Sequence, residues 1–294
     1  MKLLEKYHWL PNNFLALPEE NSNWEDSKVV ILPLPYEQTT SYQGGTRMGP
    51  AAIIRASQNV ELYDCEIQRE PYHNIGIYTL PELIADYSSY ENNLAQIQNV
   101  TVMLLESNKF PVALGGEHSI SLGLVKAFAA KYPNLSVLQL DAHADLRESY
   151  QETPYNHACV MRQIIEHAPA VQVGIRNLSR EEADFARVRE LDIFYAHQIQ
   201  HGYDWIEQAV ERLDENVYLT IDLDVFDPSI MPAVGTPEPG GLTWYPVLEL
   251  LRTVAEQRKI VGADVVELCP IPFHPAPDFL AAKLIYKLLG YVFP

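Results

Sequence analysis

The stretch LQLDAHADLRE, Leu138 to Glu148, opens as an apolar run and ends in charge: Asp141, His143 and Asp145 at every second position, then Arg147 and Glu148. A short run that is apolar on both faces reads as a buried strand of a parallel sheet covered by helices. Desolvating charge where such a strand meets a core is costly unless the charges are paired or bind a cation. The abrupt switch therefore marks a strand's carboxyl end, the edge where open α/β sheets gather their chemistry.

The same alternation recurs along the chain. Strand candidates are VVILPL from Val29, NIGIY from Asn74, FPVALGG from Phe110, SVLQLDA from Ser136, VQVGI from Val171, DIFYA from Asp192, VYLTIDLDV from Val217 and IVGADVVEL from Ile260. Helical patterns run between them, roughly from Glu91 to Ser107, Ser119 to Lys131, Ala158 to His167, Arg180 to Glu190, Tyr203 to Leu213, Tyr245 to Arg258 and Asp278 to Leu289, the last with Asp278 as its N-cap. The pattern predicts one α/β domain over residues 1–294, with a mostly parallel sheet of about eight strands.

Composition narrows the function. With 294 residues, 47% of them hydrophobic, the chain can bury one large core. No apolar stretch approaches the roughly 18–20 residues that span a bilayer. The opening MKLLEKYHWLPNNF has no sustained apolar segment followed by a small-residue cleavage site, which argues against export. Cys65, Cys159 and Cys269 form no CxxC pair, so neither a disulfide framework nor a thiolate metal site is expected and a reducing cytoplasm is the default. A formal charge of −18 excludes a nucleic-acid partner, since phosphate backbones select Lys and Arg clusters. It aids solubility and would favour encounter with a small cationic molecule.

Four strand ends carry acids or histidines: GGEHS, DAHAD, DLDVFD and DVVELCP. Strand residues at i and i+2 share a face about 6–7 Å apart, so Asp141 and His143 can enter one crevice. Asp145 joins them only if the chain leaves the sheet after His143 and curls back. Asp222 and Asp224 repeat the spacing, and His118 follows two glycines that permit a sharp turn. Singly, each motif reads as well as a solvated edge, a helix cap or a loop residue. Together they would bring four carboxylates and two imidazoles to neighbouring strand ends, where the acids repel one another or take up protons unless cations neutralise them. Oxygen-rich ligation with two imidazoles and no thiolate suits Mn²⁺ better than structural zinc. Two such ions about 3.5–4 Å apart can hold a nucleophilic hydroxide at neutral pH.

GGEHS (115–119), DAHADLRESY (141–150), YNHACVMR (155–162), IDLDVFDPS (221–229), GTPEPGGL (235–242) and ADVVELCP (263–270), with SYQGGTRMGPAAIIRAS (41–57) before them, resemble the ureohydrolases, the family of arginases and agmatinases. The resemblance implies a three-layer α/β/α fold and two Mn²⁺ ions per chain. His118, Asp141, Asp145 and Asp222 would hold one ion; His143, Asp141, Asp222 and Asp224 would hold the other, with Asp141 and Asp222 bridging. It implies hydrolysis of a guanidinium to urea and an amine by a metal-bridging hydroxide. Glu267 would grip the guanidinium, His157 would shuttle a proton to the leaving amine, and Asp145 would belong to the catalytic set. Homotrimers or homohexamers are implied as well.

Where arginases usually carry an Asn that helps hold the α-carboxylate, this chain has Arg147, and DLRESY with YNHACVMR resembles the agmatinase branch. Agmatine, forming putrescine, is thus the first substrate reading, with arginine or a guanidino acid met by Arg147 behind it. A single-zinc deacetylase on a related fold and a non-catalytic relative are the readings from other classes. Cys159 reads as a small buried residue rather than a nucleophile, and Asp227 as a turn residue before Pro228 rather than a further ligand.

Overall fold

The computed structural model describes residue 7, residues 9–199 and residues 202–294, so half of the N-terminal stretch read for export lies outside the described residues. The strands are β1 (Val29–Leu34), β2 (Ile77–Thr79), β3 (Phe110–Gly115), β4 (Leu135–Leu140), β5 (Ala170–Ile175), β6 (Asp192–Tyr195), β7 (Asn216–Asp222) and β8 (Lys259–Val266). They form one sheet in the order β2-β1-β3-β8-β7-β4-β5-β6, and every pairing is parallel. The longer helices are α1 (Gly49–Ser57), α2 (Tyr90–Glu106), α3 (Ser121–Lys131), α4 (Val160–Ile164), α5 (Arg180–Val188), α6 (Asp204–Glu211), α7 (Trp244–Gln257) and α8 (Ala276–Val292).

Strand periodicity sorts the core into two layers. Val29, Ile31, Leu138, Leu140, Leu219 and Ile221 face α1, α6, α7 and α8, and the intervening Val30, Leu32, Val137 and Tyr218 face α2, α3, α4 and α5. The result is a single α/β/α domain. Because all strands run one way, every carboxyl end emerges along one edge.

Several expectations need correction. In NIGIY, Asn74 and Ile75 end a helical turn, Tyr72–Ile75, which Gly76 closes at φ 57° before β2 starts. The strand in VYLTIDLDV stops at Asp222, and Leu223–Val225 is a 3-10 turn. Asp224 therefore does not share a strand face with Asp222. β4 likewise ends at Leu140, before the first acid. The Ala158–His167 pattern shortens to α4, behind a 3-10 turn over His157–Cys159. Asp278 is not an N-cap: α8 begins at Ala276 after Pro275, with a second proline in its first turn, and Asp278 sits inside that turn.

Far from the carboxyl edge, α8 is anchored by buried charge. Lys287 lies 3.0 Å from Asp64 Oδ2 and also contacts Glu66, whose carboxylate accepts from Tyr291. Burial opposes the charge on Asp64, but Lys287 and backbone N–H donors outweigh it and hold the carboxyl below its ordinary 3.8. Lys287→Ala strands that carboxylate and should cost about 3–5 kcal/mol. The wild-type advantage is full above the ordinary carboxylate pKa and shrinks as acid protonates Asp64. In urea unfolding at several pH values the gap should narrow below about pH 4; a gap constant with pH would assign the loss to packing alone.

Candidate metal centre

β3 delivers His118 through Gly115-Gly116-Glu117. Neither glycine adopts positive φ. What matters is closeness, since a Cβ on Gly116 would lie 2.0 Å from the Tyr36 carbonyl oxygen. This lets the chain turn against the end of β1. The fully buried His118 ring places Nδ1 3.1 Å from Asp141 Oδ2, 3.2 Å from Asp145 Oδ2 and 3.4 Å from Asp222 Oδ2. Its Nε2 lies 2.8 Å from Thr220 Oγ1, and that hydroxyl donates to Asp264 Oδ1 at 2.7 Å, so Nε2 carries the hydrogen.

Asp145 reaches the cluster because it stands at φ 52°, in the left-handed region, which curls the chain back after His143. His143 contributes Nδ1, 2.8 Å from Asp224 Oδ2 and 3.6 Å from Asp141 Oδ1. Local donors aim the carboxylates. His143 N–H donates to Asp141 Oδ1 at 2.6 Å, Ala142 N–H to Asp224 Oδ1 at 2.9 Å and Asp224 N–H to Asp222 Oδ1 at 2.9 Å. Two groups with ligand atoms within 4.8 Å of one another result: His118, Asp141 and Asp145, and Asp141, His143 and Asp224. Asp141 is common to both, while Asp222 joins the first through its contact with His118.

These residues fit divalent ions. His118 Nδ1 is buried among three carboxylate oxygens, none aligned for a hydrogen bond; burial opposes charge on the ring but the acids raise it well above its ordinary value, so without a metal this atom holds a proton where a divalent ion would sit. The acids also need neutralising. Burial and Asp141 push Asp145 up to about 7, and burial with Asp224 and Asp141 raises Asp222 well above the carboxylate range. Burial opposes charge on His143, but Asp224 and Asp141 push it up to about 12. Without another cation the cluster holds protons; hard divalent ions would replace them.

Glu267 follows β8 at φ 65° and accepts the His118 backbone N–H on Oε1 at 2.7 Å. His157 stands on the turn before α4; burial, then His118 and His143, push its imidazole down to about 4. Arg147 does not point free charge at a ligand: its Nε lies 3.8 Å from Glu182 and its guanidinium 4.8 Å from the Tyr150 ring centroid. Burial pushes the Cys159 thiol up to about 11, as expected of an inert core cysteine. Asp227 is a turn residue that also accepts the Gly240 and Gly241 N–H groups, tethering the 235–242 loop.

Sequence reading missed three supports. Arg176, just past β5, donates to the carbonyls of Asp224 and Glu238 at 2.7 Å each, bracing the Asp224 turn against that loop. Its only signal was an arginine at a strand end. Gln139 donates to Asp141 Oδ2 at 2.7 Å and is itself oriented by Gln172. Glu117 and Thr39 join the loop after β1 to His157.

Fold and site together define an α/β protein with a two-group candidate metal centre at the carboxyl edge of its sheet. The chain belongs to the arginase family, which it matches over residues 27–290. It is 39% identical to an N(1)-aminopropylagmatine ureohydrolase of Synechocystis sp., covering 96% of each chain, and 35% identical to an agmatinase of Bacillus cereus, covering 93% of this chain and 95% of the other. Among solved structures it resembles the agmatine ureohydrolase of Thermoplasma volcanium, with a TM-score of 0.85 and 28% identity over 99% of this chain and 97% of that one.

Divalent cation should raise the melting temperature of metal-stripped protein, because it binds the folded state alone. The rise should shrink in His118→Ala, which breaks one of the two groups, and vanish in Asp141→Ala, which removes the acid common to both. A variant that responds like wild type would show that this cluster is not where the ion binds.

Proposed function

We propose that the protein is a manganese-dependent ureohydrolase that cleaves the guanidinium of a polyamine-type substrate, N1-aminopropylagmatine, to urea and an amine. The observation that carries the reaction is the unpartnered His118 Nδ1 within the two acid–imidazole groups, with Glu267 buried beside it. His118, Asp141, Asp145 and Asp222 would hold one ion, and His143, Asp141, Asp222 and Asp224 the other. Bound ions would supply a water activated at neutral pH and positive charge where the reacting carbon's substituents gather negative charge.

The chain's own groups do the rest. Glu267 Oε1 is committed to His118 N–H, so Oε2 is the oxygen that accepts from the guanidinium. A Cβ on Gly235 would sit only 3.4 Å from that oxygen, so the glycine leaves the approach open. His157, neutral at rest, would relay to the departing nitrogen the proton that the attacking water gives up, so the amine leaves neutral and the imidazole ends as it began. Asp145, whose curl places it against His118, holds negative charge near the reacting water.

The sequence alone put agmatine first. The 39% identity to an aminopropylagmatine ureohydrolase over nearly the whole chain moves the extended substrate ahead, and agmatine is the second reading, carried by the agmatinase relative. Both are polycations, suited to a chain of charge −18, and neither has a carboxylate. Arginine would need a cation for its α-carboxylate, and the Arg147 guanidinium instead lies beside Glu182 and over the Tyr150 ring. Three free thiols suit a reducing, cytoplasmic setting. No helix among the described residues is long and apolar enough to cross a membrane. Assembly into three or six copies follows from the family resemblance and is open to light scattering.

Urea release from manganese-loaded protein should be fastest with N1-aminopropylagmatine, then agmatine, with arginine and 4-guanidinobutyrate far behind. Preference for a carboxylate-bearing substrate would overturn the substrate reading and leave the metal chemistry intact. Asp141→Asn or Asp222→Asn should nearly abolish turnover; wild-type rates with full metal loading would defeat the bridging assignment. Glu267→Gln should lower kcat/KM about tenfold or more with metals retained, whereas loss of metal would make Glu267 a ligand support instead.

A further inference from the structure

Glu117 is fully buried at the end of β3, yet nothing in the proposed chemistry uses it. Its carboxylate is saturated with donors. Oε2 accepts the backbone N–H groups of Gln38 and Thr39, each at 2.6 Å, and Oε1 accepts the hydroxyls of Thr39 at 2.8 Å and Ser119 at 2.5 Å. A threonine hydroxyl has one hydrogen to give, and here it goes to Glu117.

Everything else that meets Thr39 Oγ1 must therefore donate to it. The backbone N–H of His157 does so at 3.0 Å. The second contact is His157 Nδ1, at 3.1 Å. With the hydroxyl hydrogen committed elsewhere, that contact is a hydrogen bond only if Nδ1 carries the proton. In the opposite tautomer two lone pairs would face each other across 3.1 Å, in a pocket that already pushes the ring toward its neutral form through burial. Nε2, 3.3 Å from Ser41 Oγ, is then the basic nitrogen, and the Ser41 hydroxyl can rotate to donate to it or accept from it.

We infer that the Glu117–Thr39 pair is a positioning device that fixes His157 as its Nδ1-protonated tautomer, so that Nε2 is the atom that exchanges protons with the substrate's departing amine. The inference rests on the reading above that His157 moves a proton. Thr39 and Glu117 touch neither reacting atoms nor metal positions in this assignment; they act through His157. Three chain segments meet here, with Glu117 78 residues from Thr39 and Thr39 118 from His157. The device also ties the loop after β1 to the site, because the same carboxylate holds Gln38 and Thr39.

The test is nitrogen NMR of the full chain, labelled at histidine and loaded with diamagnetic Mg²⁺, with His157 assigned by loss of its signals in His157→Asn. Wild type should show protonated Nδ1 and bare Nε2. Thr39→Ser keeps the hydroxyl and should keep both the tautomer and turnover. Thr39→Val should mix the tautomers and lower kcat on the order of tenfold or more, with KM and bound metal unchanged. Wild type carrying its proton on Nε2 would overturn the inference, as would Thr39→Val with unchanged tautomer and kcat. The wild-type spectrum decides the pairing without any turnover. If no guanidino compound releases urea while Nδ1 is protonated, the functional reading fails and the positioning of His157 stands.

Discussion

Mutual repulsion among Asp141, Asp145, Asp222 and Asp224, all buried at one edge of the sheet, is the force the architecture has to hold in check. Each acid arrives from the end of a parallel strand, and parallel pairing puts those ends side by side: β4 next to β7, β7 next to β8, β8 next to β3. Only backbone fixed by central strands could keep such groups together against their charge. Donors two residues on then steer two of the carboxylates, His143 N–H for Asp141 and Asp224 N–H for Asp222, and Ala142 N–H reaches across to Asp224. The two interlocked groups that result share Asp141.

Two of the non-glycine residues at positive φ, Asp145 and Glu267, stand at this cluster, a cost on the order of 1–3 kcal/mol each. Each is pinned from outside: Arg162 N–H donates to the Asp145 carbonyl, and Glu267 N–H donates to the Gly116 carbonyl at 2.8 Å. An extended backbone at Asp145 would carry its carboxylate along the strand direction, away from His118. The strain is the means by which a residue four positions past Asp141 returns to the same centre.

The fold and the gathering of acids and imidazoles at one edge were legible because both are written in short-range pattern. Apolar runs such as VVILPL and SVLQL become central strands almost to the residue, and the acids stand immediately after them. Errors arose where a strand's end had to be placed. TIDLD alternates like a strand, but Asp222 accepts the Asp224 N–H and turns the chain into a 3-10 helix at once. The proline pair around Ala276 moved the start of α8 ahead of Asp278. What stayed hidden was long-range. Arg176 serves a loop more than 60 residues away, Lys287 is partnered by Asp64 across 223, and Thr39 meets His157 across 118. No local periodicity encodes such partners; they exist only once the sheet has ordered its strands.

Strand ends and loops are held in place by different forces. The acid–imidazole cluster sits at strand ends whose positions follow from the core, so it is fixed by the same burial that stabilises the fold. The loops beside it, at 36–46 and 235–242, are tied down by polar contacts instead. Glu37 holds the Gly45 and Arg47 N–H groups, Glu182 holds Arg147, and Arg176 holds Glu238. Arg147, two residues past Asp145, shows the contrast: it lies on the loop side of the cluster with its Nε 3.8 Å from Glu182 and its guanidinium over the Tyr150 ring, held by contacts that the sheet does not impose.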